Sequence, residues 1–324
     1  MDFRTELATK PSKKKIELTD SIVTIGSCFS DDIGARLEDH KFRINKNPLG
    51  IVYNPISIHK ILMCSIQKSS PSPNGYLERD NTFFHYDFHS SWHSQSQDDL
   101  RKKLIQELEN IHDVINHCKV LIITYGTCWV YENKKSKEIV SNCHKKPQIN
   151  FDKFLLSQKR IVESFEKFYQ ELKNINKEVR IILTVSPVRH IKDTLELNSV
   201  SKSILRLTCH TLSGAYSDIE YFPSNEIMID DLRDYRFYKA DMIHPSEVAI
   251  DYIWEKFGET YFGEETLKFI GEWSKIKSAL NHKPFQSDSP AHQQFLKETL
   301  SKLNQLKSRV DVSEEIEALK EQLQ

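Results

Sequence analysis

The stretch Thr24–Gly34, TIGSCFSDDIG, sets a glycine, a serine and a cysteine directly after an apolar run. The residues beyond Ser27 read as the first turn of a helix. A strand that ends in Gly-Ser and turns at once into a helix is a common mount for a nucleophile, and equally a plain way to turn the chain. Two more apolar runs stop in the same manner. Lys119–Gly126 (KVLIITYG) ends at glycine, as Ser21–Gly26 (SIVTIG) does, and Val179–Pro187 (VRIILTVSP) ends at proline. Continuous β-branched runs of this kind are strands buried on both faces, as parallel strands are.

Helical patterns lie between these strands. SDDIGARLEDH offers Ser30 as N-cap, acids in its first turn, and Ile33 and Leu37 one turn apart. DDLRKKLIQELENIHDVI and FDKFLLSQKRIVESFEKFYQELKNI are long and amphipathic, and a Ser- and Leu-rich helix covers Glu196–Leu212. EIMIDDL (Glu226–Leu232) reads as a further strand, and a last core helix begins at Pro245. Strands alternating with helices predict a doubly wound α/β sheet, with its ligands at the carboxyl ends of the strands. Gly26-Ser27, Gly126-Thr127 and Ser186-Pro187 all fall at such ends.

The chain has 324 residues, 39% of them hydrophobic, enough for one large core or a core with an appendage. Lys and Arg number 45 against 46 Asp and Glu, so no global field favours nucleic acid or an anionic membrane. No run of about 18 apolar residues occurs, and the N-terminus lacks the apolar core of a signal peptide. The six cysteines show no CxxC spacing, which fits a reduced, cytoplasmic protein. Neither a GxxxxGK[ST] nor a GxGxxG phosphate loop is present, so no nucleotide cofactor is expected. The tail differs from the rest. After a breaker-rich piece near Pro284 comes a charged stretch with Leu300, Leu303 and Leu306 at helical spacing. The expected organisation is therefore an α/β domain over 1–283 and a helical extension over 284–324. That extension either lies on its own domain or serves self-association.

A serine hydroxyl needs a base, and the base needs a group to orient it. In YKADMIHPSE, Asp241 and His244 stand three residues apart, just before a helix. In such a turn the Asp241 carboxylate can hold Nδ1–H of His244 while Nε2 faces Ser27. Cys28 is the rival nucleophile, with a helix start to lower its pKa; packed inward, it does nothing chemical. Arg189 and His190 leave the end of a central strand on the same edge, where an arginine clamps a carboxylate or phosphate or fixes the loop by a salt bridge. His144 and Lys145 carry a weaker form of that argument. His85, His89 and His93 have the spacing of metal ligands on a helix, but their aromatic and polar alternation reads better as strand or loop. No metal is expected. Asn198, Lys202 and Arg206 recur at four-residue intervals, as a solvated helical face does.

GSCFS, with INKNPLGIVYNPISI after it, resembles the GSCFA family, named for Gly-Ser-Cys-Phe-Ala, with Ser30 here in place of alanine. The likeness continues through FHSSW, LIITYGTCWVY, SNCHKKP and LTVSPVRHIKD, and ends in YFPSNEIMIDDLRDYRFYKADMIHPSEVAIDYIWEKF. That family is similar to the wider SGNH (GDSL-like) hydrolases. The resemblance implies a three-layer α/β/α fold of flavodoxin-like type with about five parallel strands. It also implies Ser27 as nucleophile, His244 as base and Asp241 as the orienting acid. The oxyanion hole would then use the N–H of Ser27 and of Gly50. The Asn side chain of the superfamily's third block is missing after KVLIITYG, which leaves Thr127 or Asn142 for that place. His89 to Trp92 would form a loop over the cleft, with His89, Trp92, Arg189 and His190 as substrate contacts. The reaction so implied is hydrolysis of an acyl or acetyl ester, of a carbohydrate or another small molecule. Acyl transfer to a sugar hydroxyl and non-catalytic binding on a hydrolase scaffold are the alternatives.

Overall fold

A computed structural model describes residues 5–282 and 289–323. The expected domain boundary at 283/284 lies outside the described residues. The chain begins with an extended arm and enters β1 (Ser21–Gly26), α1 (Cys28–Asp39), β2 (Arg43–Lys46) and α2 (Pro55–Ile66). A hairpin of β3 (Tyr76–Arg79) and β4 (Thr82–His85) leads to α3 (Gln97–His117) and β5 (Val120–Tyr125). After β5 the chain builds a small antiparallel sheet from β6 (Trp129–Asn133), β7 (Ile139–Val140) and β8 (Phe151–Leu155). It then resumes alternation with α4 (Gln158–Ile175), β9 (Arg180–Val185), α5 (Thr194–Ala215) and β10 (Ile219–Phe222).

The five strands β2-β1-β5-β9-β10 form one sheet in that order, every pair parallel. Their order along the chain is thus 2-1-3-4-5, the flavodoxin-like winding, in which the crevice opens between the first and third strands. Here that crevice lies between the carboxyl ends of β1 and β5. The alternation of side chains along each strand sorts the core into two layers. Val23, Ile25, Leu121, Ile123, Ile181 and Leu183 join one apolar cluster with α2, α3, α4 and α5. Ile22, Val120, Ile122 and Ile182 join another with α1 and α7 (Glu247–Tyr261). The fold is therefore three-layered, as expected.

The stretch Glu226–Leu232 is not a strand. Pro223 ends β10, and the chain coils through α6 (Ser224–Glu226) into a π-helical turn, Ile227–Leu232, which buries Ile227, Met228 and Leu232. α8 (Glu264–Leu280), α9 (Pro290–Leu306) and α10 (Ser313–Lys320) share a third apolar cluster built on Phe269, Trp273, Leu296, Leu303 and Ile316. Trp273 Nε1–H donates to the Asp39 carbonyl at 2.7 Å, joining this cluster to the end of α1. The N-terminal arm closes on the end of α7: Ser12 N–H donates to Thr260 O and Ile16 N–H to Tyr261 O, both at 2.8 Å. No helix among the described residues is long and apolar enough to cross a membrane.

Candidate active site

The turn after β1 is dictated by Gly26, whose φ is +147° and whose missing β-carbon would stand 2.2 Å from the Thr124 carbonyl oxygen. Only glycine fits there. Helix α1 starts at Cys28, so its N-cap is Ser27 and not Ser30. An N-cap serine ordinarily accepts a hydrogen bond from an N–H of the first turn. Ser27 does not; its Oγ is buried and has no hydrogen-bond partner among the described residues. A buried hydroxyl left unpaired costs about 1–3 kcal/mol, so the fold holds a free hydroxyl at the mouth of the crevice.

Asn47 sets the geometry around it, a residue that no motif in the sequence singles out. Its Oδ1 accepts from Gly26 N–H at 2.8 Å, and its Nδ2 donates to Asp31 at 2.7 Å. Its backbone carbonyl accepts from Gly50 N–H at 2.7 Å. One buried amide thus ties the nucleophile turn to the Gly50 loop. The available signal was position: an asparagine just past β2, at φ +39°, is a residue type that tolerates the left-handed region. Gly50 itself has φ +74° and lies against His89, whose Cβ would be 2.7 Å from any added β-carbon.

The DxxH turn closes on itself. Asp241 Oδ1 accepts from the N–H groups of Ile243 (2.8 Å) and His244 (3.0 Å), while Oδ2 lies 2.7 Å from His244 Nδ1. The His244 hydrogen bond and those two N–H groups hold the Asp241 carboxyl down at about 2. An ionised Asp241 fixes the proton on Nδ1 and leaves Nε2 of His244 as the basic nitrogen. α7 starts at Glu247, with Ser246 as its N-cap. Arg36 of α1 bridges Glu247 (3.1 Å) and Asp251 (2.6 Å), which brings the DxxH turn alongside α1. His244 lies within electrostatic range of Asp32 of α1, whose carboxyl burial pushes up to about 6. Ser27 and His244 make no hydrogen bond to each other here.

The expected oxyanion donors are engaged within the protein. Ser27 N–H donates to Thr124 O at 3.2 Å, and Gly50 N–H to Asn47 O. Thr127 gives its N–H to Tyr53 O at 3.3 Å and shares its hydroxyl with Ser201 at 3.0 Å. Asn142 accepts from His144 N–H through Oδ1 at 2.8 Å, and its Nδ2 has no bond among the described residues. Cys28 is no thiolate: burial pushes its thiol up, and the nearby Asp31 and Asp32 push it further.

Tyr53 and Lys202 complete the surroundings. The Tyr53 ring stands 5.5 Å from that of His190, and both crowd Gly126. Burial, with Lys202 and His244 nearby, pushes the His190 imidazole down to about 3, and its Nε2 is buried and unpaired. Asn198 accepts from His190 N–H at 2.9 Å. Lys202 is only 7% exposed, and its Nζ donates to Gly126 O (2.8 Å) and Ser186 O (2.7 Å), clamping the ends of β5 and β9. The row Asn198, Lys202 and Arg206 is therefore no solvated face; its middle member is a buried cation that burial pushes down to about 7. Trp92 is half-buried against the core, and His89 Nδ1 pairs with Ser91 Oγ at 3.0 Å. His85 and His93 turn to separate backbone carbonyls, Ser72 O and Ser90 O.

The profile of the GSCFA family matches residues 21–257, and that of the GSCFA domain protein, C-terminal domain, matches 273–324. The chain belongs to the GSCFA family. The family match spans β1 to α7 and includes every residue placed around Ser27. Among solved structures, a family 3 carbohydrate esterase from Clostridium thermocellum is similar over 78% of this GSCFA chain and 98% of its own, with 11% identity and a TM-score of 0.32. No curated protein matches the sequence.

Proposed function

We propose that this GSCFA protein is a serine esterase acting on an acyl or acetyl ester of a small molecule, a carbohydrate ester being the favoured class. The observation that carries the reading is the buried Ser27 hydroxyl, free of the cap bond its position invites, in a chain that also holds a histidine whose Nδ1 is paired to a carboxylate, on a turn tied to α1 through Arg36. In this reading His244 Nε2 takes the Ser27 proton as Oγ attacks the ester carbonyl. The oxyanion gathers the Ser27 and Gly50 N–H groups, which swing from their present carbonyl partners, and the Asn142 amide. His244 then protonates the departing alcohol, and water enters by the same base to release the acid. A hydroxyl in place of that water makes the protein an acyltransferase. The six unpaired thiols fit a reducing compartment such as the cytoplasm.

A second reading, binding without catalysis, draws on the engagement of Ser27 N–H and Gly50 N–H within the fold. Hydrolysis of an aryl acetate separates the two. Ser27→Ala and His244→Ala are each expected to lower the rate by about 10³-fold or more, with the double variant little worse. Cys28→Ser is expected to keep most of the rate, and a fluorophosphonate to label Ser27. Activity that survives Ser27→Ala would end the proposal.

A further inference from the structure

Beside the DxxH turn lies a cavity of about 240 Å³. Arg189 forms one wall. Its guanidinium lies over the Tyr238 ring at 4.1 Å from the centroid and over Tyr235 at 5.2 Å. Its backbone N–H donates to Ile243 O at 3.1 Å, so the cavity is fastened to the residue next to His244.

The charges of this wall do not cancel. Arg233 is spent on Asp230 at 3.2 Å. Asp234 accepts from Arg236 N–H at 2.9 Å and lies 3.6 Å from its guanidinium. Arg189 has no carboxylate partner among the described residues; one of its N–H groups reaches Met242 O, at a long 3.4 Å. A guanidinium laid flat on aromatic rings keeps its edge, a fork of N–H donors that matches a carboxylate or a phosphate. Partly desolvating a cation beside apolar Met228 and Ile229, with no anion supplied, is a cost the fold carries at this wall. Tyr235, 61% exposed, adds the flat apolar face on which a sugar ring rests.

We infer that this cavity is a subsite for an oxyanion, carboxylate or phosphate, borne by a sugar-sized substrate whose ester reaches Ser27. The inference rests on the esterase reading only for that last clause. Arg189 supplies the fork, Tyr235 and Tyr238 the platform, and the Ile243 contact sets the distance to the base. The ester is then one on an acidic sugar, a uronate or a sugar phosphate, and neutral esters are poor substitutes.

Calorimetric titration of the whole protein with D-glucuronate, D-glucose 6-phosphate and D-glucose tests this without any turnover. One of the two anionic sugars is expected to bind at least about tenfold tighter than glucose, and which one tells carboxylate from phosphate. Arg189→Gln should lower that affinity about tenfold or more, and Arg189→Lys should recover part of it, because a point charge lacks the fork. Arg233→Gln should change it by less than about threefold, its charge being already paired. If neither anionic sugar binds tighter than glucose, the subsite is wrong, whatever the variants do. If Arg189→Gln folds and binds as well as the parent, it is wrong too. Aryl acetate hydrolysis without anion binding leaves the esterase reading and removes this one; anion binding without hydrolysis does the reverse.

Discussion

At Gly26 the backbone and the space around it make the same demand. A methyl group there meets the Thr124 carbonyl of the neighbouring strand at 2.2 Å, in a conformation alanine rarely adopts. Gly26→Ala is expected to cost on the order of 3 kcal/mol or more in denaturant unfolding, the combined result of strain and overpacking. Asp32 acts in the opposite sense. Burial raises its carboxyl to about 6, so between about 4 and 6 the folded chain keeps a proton that the unfolded chain has released. Stability from this residue therefore falls as pH rises through that window. Asp32→Asn should raise the melting temperature at pH 7.5 and leave it nearly unchanged near pH 3.5; an equal effect at both pH values would refute the assignment. The Asp241–His244 pair and the Ser27 turn were legible in the sequence as candidates, because each sits in a short motif whose geometry is local. Asn47, Tyr53 and Lys202 were not, because their meaning comes from partners such as Gly26, His190 and Gly126 that only tertiary packing supplies.

The elements were read with uneven success, for reasons of length and context. β1, β5 and β9 are stretches of six residues rich in β-branched side chains, each stopped at or just before a glycine or proline, and all but Ser21 are buried. EIMIDDL has a short apolar run but no glycine or proline stop after it, so its pattern does not separate strand from coil; it follows Pro223 and packs Ile227 and Met228 into the core as a π-helical turn. β6 and β7 were missed, the pairing of Tyr131 with Val140 being only two residues long, and Phe151–Leu155, read as the start of a helix, is β8, with α4 beginning only at Gln158. The C-terminal helices give a test at this scale. α9 and α10 cover the face of α8 that carries Phe269, Trp273 and Ile276. A chain ending at residue 282 should expose that face, melt at lower temperature and self-associate in size-exclusion chromatography. A chain ending at residue 263 removes the face along with its cover, and should be monomeric and keep aryl-ester hydrolysis. If the longer truncate is the better behaved of the two, α8 belongs functionally to the α/β core.

Taken whole, the molecule's candidate site lies where the winding order reverses, between β1 and β5, and draws on segments far apart in the chain. Ser27, Gly50, Gly126 and His244 come from four separate connections, so any reaction at this candidate site depends on the fold as a whole. Capture of a fluorophosphonate on Ser27 should pull the Ser27 and Gly50 amides from Thr124 O and Asn47 O. Backbone amide resonances of both residues should shift on labelling, while those of α8 to α10 stay in place.

The arm that fastens Ser12 and Ile16 to Thr260 and Tyr261 bears on how the protein is made. During synthesis Ile22 of β1 leaves the ribosome long before Val120, its partner on β5, and the arm waits longer still for Phe262, which Ile16 joins in a parallel bridge. Ser12 and Ile16, made before any strand of the sheet, are thus among the last to find their places. A nascent chain arrested before Asp241 therefore has the Ser27 turn without His244, and an N-terminal arm with nothing to pair with. Such a fragment is a client for chaperones, and if the esterase proposal holds, hydrolysis should first appear only as the end of α7 clears the exit tunnel.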